Sequence, residues 1–162
     1  MSQEDIIKFI AKFKNKKIGV LGDLIVDKYI LGDVERISQE APVPVLKIQK
    51  EFSAPGGAAN VANNVASLGG KVFICGVLGE DEAGRFLLKE FKNKKTDISG
   101  IIKTKNPTIN KTRIVARGQQ MVRIDKENIV NTNEQIEKRV INFISRHIRK
   151  LDGLIISDYA KG

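Results

Sequence analysis

Short apolar runs alternate with stretches of helical periodicity along this chain, and that alternation narrows the fold more than any other feature. Residues 17–22, 72–78 and 154–157 are apolar without a polar residue at every second place, as strands covered on both faces are. Residues 101–103 suit a further short strand. Between them, residues 2–13 put Ile6, Phe9, Ile10 and Phe13 on one helical face. Residues 57–69 carry a small stripe (Ala58, Ala62, Ala66) beside a larger one (Val61, Val65, Leu68). Glu80, Asp81 and Glu82 open a helix as acids should, and Ala83, Phe86, Leu87 and Phe91 supply its buried face. Residues 132–150 form a long helix with Thr132 and Gln135 in capping-box spacing and an apolar face of Ile136, Val140, Phe143, Ile144 and Ile148. Strands alternating with helices predict an α/β fold, a parallel sheet with flanking helices and right-handed crossovers.

Two segments break that rhythm. Residues 29–50 lack a helical period and hold Pro42 and Pro44, which suits edge strands. Residues 111–125 read as a hairpin turning near Gly118. Segments of about 28–50 and 109–127 are therefore expected to form a small second sheet, a flap able to close over a ligand and exclude water.

Bulk composition bounds the rest. A chain of 162 residues suits one domain, and 41% hydrophobic with 29% charged residues makes it globular. No apolar run is long enough to span a bilayer, and Met1-Ser2-Gln3-Glu4-Asp5 lacks a signal peptide's basic start. The single cysteine, Cys75, lies in an apolar run and reads as a buried, inert thiol. These features predict a cytoplasmic protein without a membrane partner. A net charge of +9 suits an anionic ligand, nucleic acid or a solvated lysine-rich surface. No aromatic residues interleave with the lysines, so no nucleic-acid partner is expected. Phe13-Lys14-Asn15-Lys16-Lys17 recurs as Phe91-Lys92-Asn93-Lys94-Lys95, each copy after a helical pattern and before an apolar segment. Two copies read as compositional coincidence rather than as a repeat fold.

Chemistry concentrates where Gly56 and Gly57 open the helix that carries Asn60 on its first turn. Paired glycines let a ligand approach bare backbone. The helix start offers unpaired N–H groups and partial positive charge, and the Asn60 amide both donates and accepts. This corner suits a hydroxyl-rich or phosphorylated small molecule; it also suits a tight strand-to-helix turn. In open α/β sheets, ligands bind beyond the carboxyl ends of the strands. Asp23 follows the first strand and Asp158 the last, so both face that crevice. A carboxylate can accept from two adjacent sugar hydroxyls, or cap a turn. Gln119 and Gln120 read as turn residues, His147 as a helix-end residue and Lys161 as an exposed loop lysine. No cysteine or histidine spacing suits a metal, and Gly69-Gly70-Lys71 lacks the earlier glycine of a phosphate-binding loop.

These residues together carry a resemblance. The run from Gly56-Gly57 through Asn60, Ala62 and Gly69 to Gly79 resembles the first signature of the ribokinase-like (PfkB) carbohydrate kinases. Five further stretches are similar to the branch that phosphorylates D-glycero-β-D-manno-heptose 7-phosphate. They are residues 22–27, 36–45 and 107–113, Gln119-Gln120 with Arg123-Ile124-Asp125, and residues 157–162. The resemblance runs from about Lys17 to the last residue.

It implies a partial ribokinase-like fold whose flap is the family's β-lid, often paired with a second subunit's lid in a homodimer. It implies transfer of the γ-phosphate of ATP, with Mg²⁺, to a sugar hydroxyl. In the heptose branch that is the anomeric hydroxyl, and the 1,7-bisphosphate formed feeds nucleotide-heptose for lipopolysaccharide core. Asp23, Gly56, Gly57 and Asn60 are then expected to hold the sugar, and Asp158 to reach the same pocket. A 7-phosphate needs a cationic anchor. Lys111 and Arg113 on one face of a flap strand, with Arg123 returning opposite, are candidates, since arginine grips phosphate with two parallel hydrogen bonds. Salt bridges to Asp125 or Glu127 are the other use for these cations. The family's Gly-Ala-Gly-Asp motif does not occur here, and its nucleotide site and Asn-x-x-Glu metal motif belong to a later half. The resemblance thus implies an acceptor-binding N-terminal half with no catalytic residue of its own, inactive alone, whose partner half brings the ATP and Mg²⁺ sites. An exposed apolar patch on one sheet edge and face is expected with it. Another ribokinase-like sugar kinase, or a non-catalytic sugar-binding or dimerisation module, are the alternatives.

Overall fold

Four of the apolar runs form one parallel sheet in the order β5-β4-β1-β8, in a computed structural model that describes residues 2–128 and 133–161. Its strands are β1 (Lys17–Gly22), β4 (Lys71–Gly79), β5 (Asp97–Thr104) and β8 (Gly153–Ser157). Helices α2 (Gly57–Ser67), α3 (Glu82–Asn93) and α4 (Glu134–His147) flank it, and α1 (Gln3–Ala11) precedes it. A 3-10 turn, Ile148–Lys150, tightens the end of α4 before β8. Ala58, Ala59 and Ala62 are fully buried, so the small stripe of α2 lets that helix lie close on the sheet beside Val20, Ile74, Leu78 and Leu87. Cys75 is fully buried as expected, and desolvation pushes its thiol up to about 11.

The flap is larger than the sequence predicts. Its four strands run β3-β2-β6-β7, as many as the main sheet has. They are β2 (Leu24–Ile37), β3 (Pro44–Gly56), β6 (Ile109–Ala116) and β7 (Gln119–Lys126). The expectation of edge strands over residues 29–50 holds only for β3. β2 lies inside the lid, antiparallel to β3 and parallel to β6. The prolines explain the division, because Pro44 starts the edge strand and Pro42 lies in the connection, where no ladder N–H is needed. The predicted hairpin is present. Its turn residues Arg117 and Gly118 both take positive φ, 50° and 78°, as the tight turn joining two twisted strands requires.

One helix expectation is corrected and another is met. Thr132 lies outside the described residues, and the cap of α4 is Asn133, whose side chain accepts from the Ile136 N–H at 2.9 Å. α1 forms behind a Ser2–Asp5 capping box, yet none of its residues is buried. A sheet-edge apolar patch is present as expected. Ile156 on β8 is 66% exposed and Ile141 on α4 62%.

The loop leaving β5 is fastened by Asp81, the N-cap of α3. Its carboxylate accepts from Gly84 N–H at 2.9 Å, Thr108 N–H at 3.0 Å and the Thr108 hydroxyl at 2.7 Å. The buried Thr108 hydroxyl in turn accepts from Gly79 N–H at 2.9 Å. Desolvation pushes the Asp81 pKa upward, but these bonds outweigh it and leave the group below the usual carboxylate value. A carboxylate of lowered pKa stabilises the fold above its unfolded pKa and loses that contribution as pH falls through the folded one. Asp81→Ala is therefore expected to cost about 2–3 kcal/mol near neutral pH, from a lost cap and a stranded Thr108 hydroxyl. Chemical denaturation across pH checks this, since the gap from wild type should narrow below about pH 4.

Candidate functional site

The carboxyl ends of β1 and β8 meet where side chains are excluded. A Cβ on Gly22 would lie 2.0 Å from the Ser157 carbonyl oxygen. Asp23 fastens this junction through three bonds. Its N–H donates to Ser157 O at 3.1 Å, its carbonyl accepts from Ala58 N–H at 2.9 Å, and its carboxylate accepts from Tyr159 N–H at 2.7 Å. The first residue predicted to hold ligand thus also ties β1, the start of α2 and the chain after β8 together.

The paired glycines sit one step away. Gly57 has φ +51°, a left-handed conformation that costs an ordinary residue about 1–3 kcal/mol. A Cβ there would lie 2.5 Å from the Asp23 carbonyl oxygen. A Cβ on Gly56 would lie 2.4 Å from Asp27 Oδ2. Asp27 was absent from the predicted site, although its carboxylate is the acid nearest the buried Gly56. Its period-two spacing with Ile25 and Tyr29 marks one face of β2. Parallel register then puts Lys111 beside Asp27, and Arg113 beside Tyr29.

Arg113 donates to Asp27 Oδ1 at 2.5 Å, and its guanidinium carbon lies 5.4 Å from the Tyr29 ring centre. About a quarter of each ion-paired side chain is exposed (24% for Arg113, 22% for Asp27). The bond from Asp27 raises the Arg113 pKa further. Lys111 projects its ammonium to 5.9 Å from the Tyr159 ring, across the gap between lid and main sheet. Arg123 adopts the other use foreseen for it, gripping both Asp125 oxygens at 2.8 and 3.0 Å along β7.

The remaining predicted residues separate. Asp158 and Asp23 line one cavity of about 730 Å³, together with Gly22, Gly79, Thr104 and Ile136. Gly56, Gly57 and Asn60 are outside its lining. Asn60 is exposed on the first turn of α2, and Asp158 Oδ1 accepts from Ala160 N–H at 2.7 Å as an ordinary turn cap. Lys161 is not the exposed loop lysine expected. It lies 2.8 Å from Glu127 Oε1, and each side chain is only 17% exposed. Removing either partner would strand the other charge in this little-exposed place. Glu127 Oε2, Asn110 Oδ1 and Thr104 Oγ1 are buried without a hydrogen-bond partner among the described residues. His147 closes α4 as foreseen, with Nδ1 2.8 Å from Phe143 O. Among the described residues no three His, Cys, Asp or Glu side chains converge as a metal site.

The model of the pfkB family of carbohydrate kinases matches residues 15–161. The chain belongs to that family. It is 52% identical over 149 residues to the bifunctional protein HldE of Helicobacter pylori strain P12, covering 91% of this chain and 32% of that protein. The HldE of Helicobacter hepaticus is 41% identical over 155 residues, with 95% and 32% covered. The chain thus spans about a third of the length of these curated relatives, in their N-terminal part. Among solved structures, phosphofructokinase-2 of Escherichia coli, in complex with substrates and products, superposes with TM-score 0.63 at 18% identity, covering 88% of this chain and 44% of that one. A carbohydrate kinase from Agrobacterium tumefaciens gives 0.63 at 20% identity, with 87% and 45% covered. At such identities the likeness concerns the fold. It bears out the ribokinase-like α/β architecture, a parallel sheet with flanking helices.

Proposed function

We propose that this chain is the acceptor-binding part of an ATP-dependent sugar kinase that phosphorylates the anomeric hydroxyl of D-glycero-D-manno-heptose 7-phosphate. One observation carries the reading: Gly56 and Gly57 present bare backbone at a helix start, Gly56 against the Asp27 carboxylate and Gly57 against the Asp23 carbonyl. Donors and acceptors so mixed suit adjacent hydroxyls on a sugar ring. Asn60, exposed on the same helix turn, extends the donor set, and Asp158 approaches from the neighbouring cavity that it lines with Asp23. Lys111 serves as the 7-phosphate anchor, because its ammonium lies over Tyr159 and forms no ion pair among the described residues. Arg113 is a positioning residue for Asp27, and Arg123 contributes to the lid's own charge pairing.

In this reading the base, nucleotide site and Mg²⁺ ligands belong to a further part of the kinase, and the chain by itself transfers nothing. The exposed Ile156 and Ile141 are where that part packs. The lid pairs with a second lid in a cytoplasmic homodimer, which the exposed Met121, Val122 and Ile124 of β7 support. Incubating the full-length protein with Mg²⁺·ATP and a panel of sugar phosphates, with phosphorus NMR of the products, tests the proposal. The expected product is the 1,7-bisphosphate, from heptose 7-phosphate alone. Turnover of another sugar would reassign the substrate, and binding without turnover would make the chain a sugar-binding module.

A further inference from the structure

The repeated segments at residues 13–17 and 91–95 share more than composition. Each leads from a helix into a parallel strand, α1 into β1 and α3 into β5. Each turns through one residue of positive φ, Asn15 at 65° and Lys95 at 55°. Because all four main strands are parallel, whatever precedes them gathers at one end of the sheet. Cations precede or open every one: Lys17, Lys71, Lys94 with Lys95, and Arg149 with Lys150, all exposed. Few acids offset them. Asp152 takes the Lys17 N–H at 2.8 Å and the Lys16 ammonium at 3.2 Å, and these bonds hold its carboxyl below the usual value. Asp97 accepts from Ser99. Topology thus concentrates much of a net charge of +9 on one surface.

α1 leads into that same end, where the turn after it is held by Asn15 N–H donating to Gly69 O at 2.9 Å. The two lysine-rich segments differ in what covers the helix before them. On α3, Phe91 is 3% exposed; on α1, Ile7 is 61% and Phe9 55% exposed, with Ile6, Ile10 and Phe13 also open. The helix lies before the residues matched by the family model, 15–161.

We propose that α1 and the basic amino end of the main sheet form a docking surface for an anionic lipid bilayer. The apolar face of α1 enters the interface, and the lysines meet the headgroups. Nucleic acid would satisfy the charge but bury none of the five apolar side chains. A second copy would bring an equally basic end and repel. The sequence expectation of no membrane partner rests on spanning, and no helix of the described residues is long and apolar enough to cross. Lying on a surface needs only an amphipathic face with basic flanks. The sugar cleft lies at the opposite, carboxyl end, so docking leaves it open. The proposal does not depend on which sugar is used.

Sedimentation of the protein with lipid vesicles tests this. Partitioning onto phosphatidylcholine vesicles containing phosphatidylglycerol should exceed that onto phosphatidylcholine alone by about tenfold at low salt. An Ile7→Ser, Phe9→Ser variant should lose at least about tenfold of the binding, with circular dichroism unchanged because both residues are exposed. Lys94→Glu with Lys95→Glu should weaken binding and flatten its salt dependence. Equal sedimentation with both vesicle types, binding indifferent to the Ile7 and Phe9 changes, or displacement from vesicles by duplex DNA would each overturn it. So would a dimer, seen by light scattering, that the Ile7 and Phe9 changes dissociate while vesicle binding stays the same.

Discussion

Gly57→Val in the full-length protein is expected to lower kcat/KM for the sugar phosphate by about a hundredfold or more. The new side chain meets two obstacles together. A β-branched residue is strained at φ +51°, and its Cβ would stand 2.5 Å from the Asp23 carbonyl oxygen. That oxygen accepts the Ala58 N–H, so the first turn of α2 must shift to relieve the contact. The shift moves the backbone amides and Asn60 with it. Displacing reacting groups by about 1 Å can itself cost a hundredfold. The loss should appear in both the Michaelis constant for the sugar and kcat, and leave the Michaelis constant for ATP close to wild type. Steady-state kinetics with each substrate varied in turn checks it. A variant within threefold of wild type would show that no substrate approaches this corner.

How much of this was legible beforehand follows from how local each feature is. The main-sheet strands, the α2 corner and the Gly118 hairpin depend on period, glycine and turn chemistry within a few residues, and they appear where expected. The lid's size depends on β2 pairing with β6, residues about eighty positions apart. No local pattern encodes that register. Asp27 was overlooked for the same reason. It sits inside a strand, and its meaning arises only when Gly56 and Arg113 reach it from elsewhere. Lys161 read as a loop lysine until Glu127 came beside it. α1 was legible as a helix, but amphipathicity does not say what covers the apolar face.

Arg113→Ala should separate holding a carboxylate from holding a phosphate. Arg113 is committed to Asp27 beneath the paired glycines, whereas Lys111 reaches across to Tyr159. Removing Arg113 leaves Asp27 half-buried without its counter-charge, a loss of about 2–3 kcal/mol for a pair this little exposed, or roughly thirtyfold to over a hundredfold in kcat/KM. Lys111→Ala should instead raise the Michaelis constant for the phosphorylated sugar about tenfold and leave kcat near wild type, as loss of uniform binding does. A double-mutant cycle of Arg113→Ala with Asp27→Asn decides the point. If Arg113 acts through Asp27, the two changes should couple by about 1–2 kcal/mol, and the second should add little to the first. If the effects simply add, and a substrate lacking the 7-phosphate is indifferent to Arg113→Ala, Arg113 grips the phosphate itself and Lys111 loses that role.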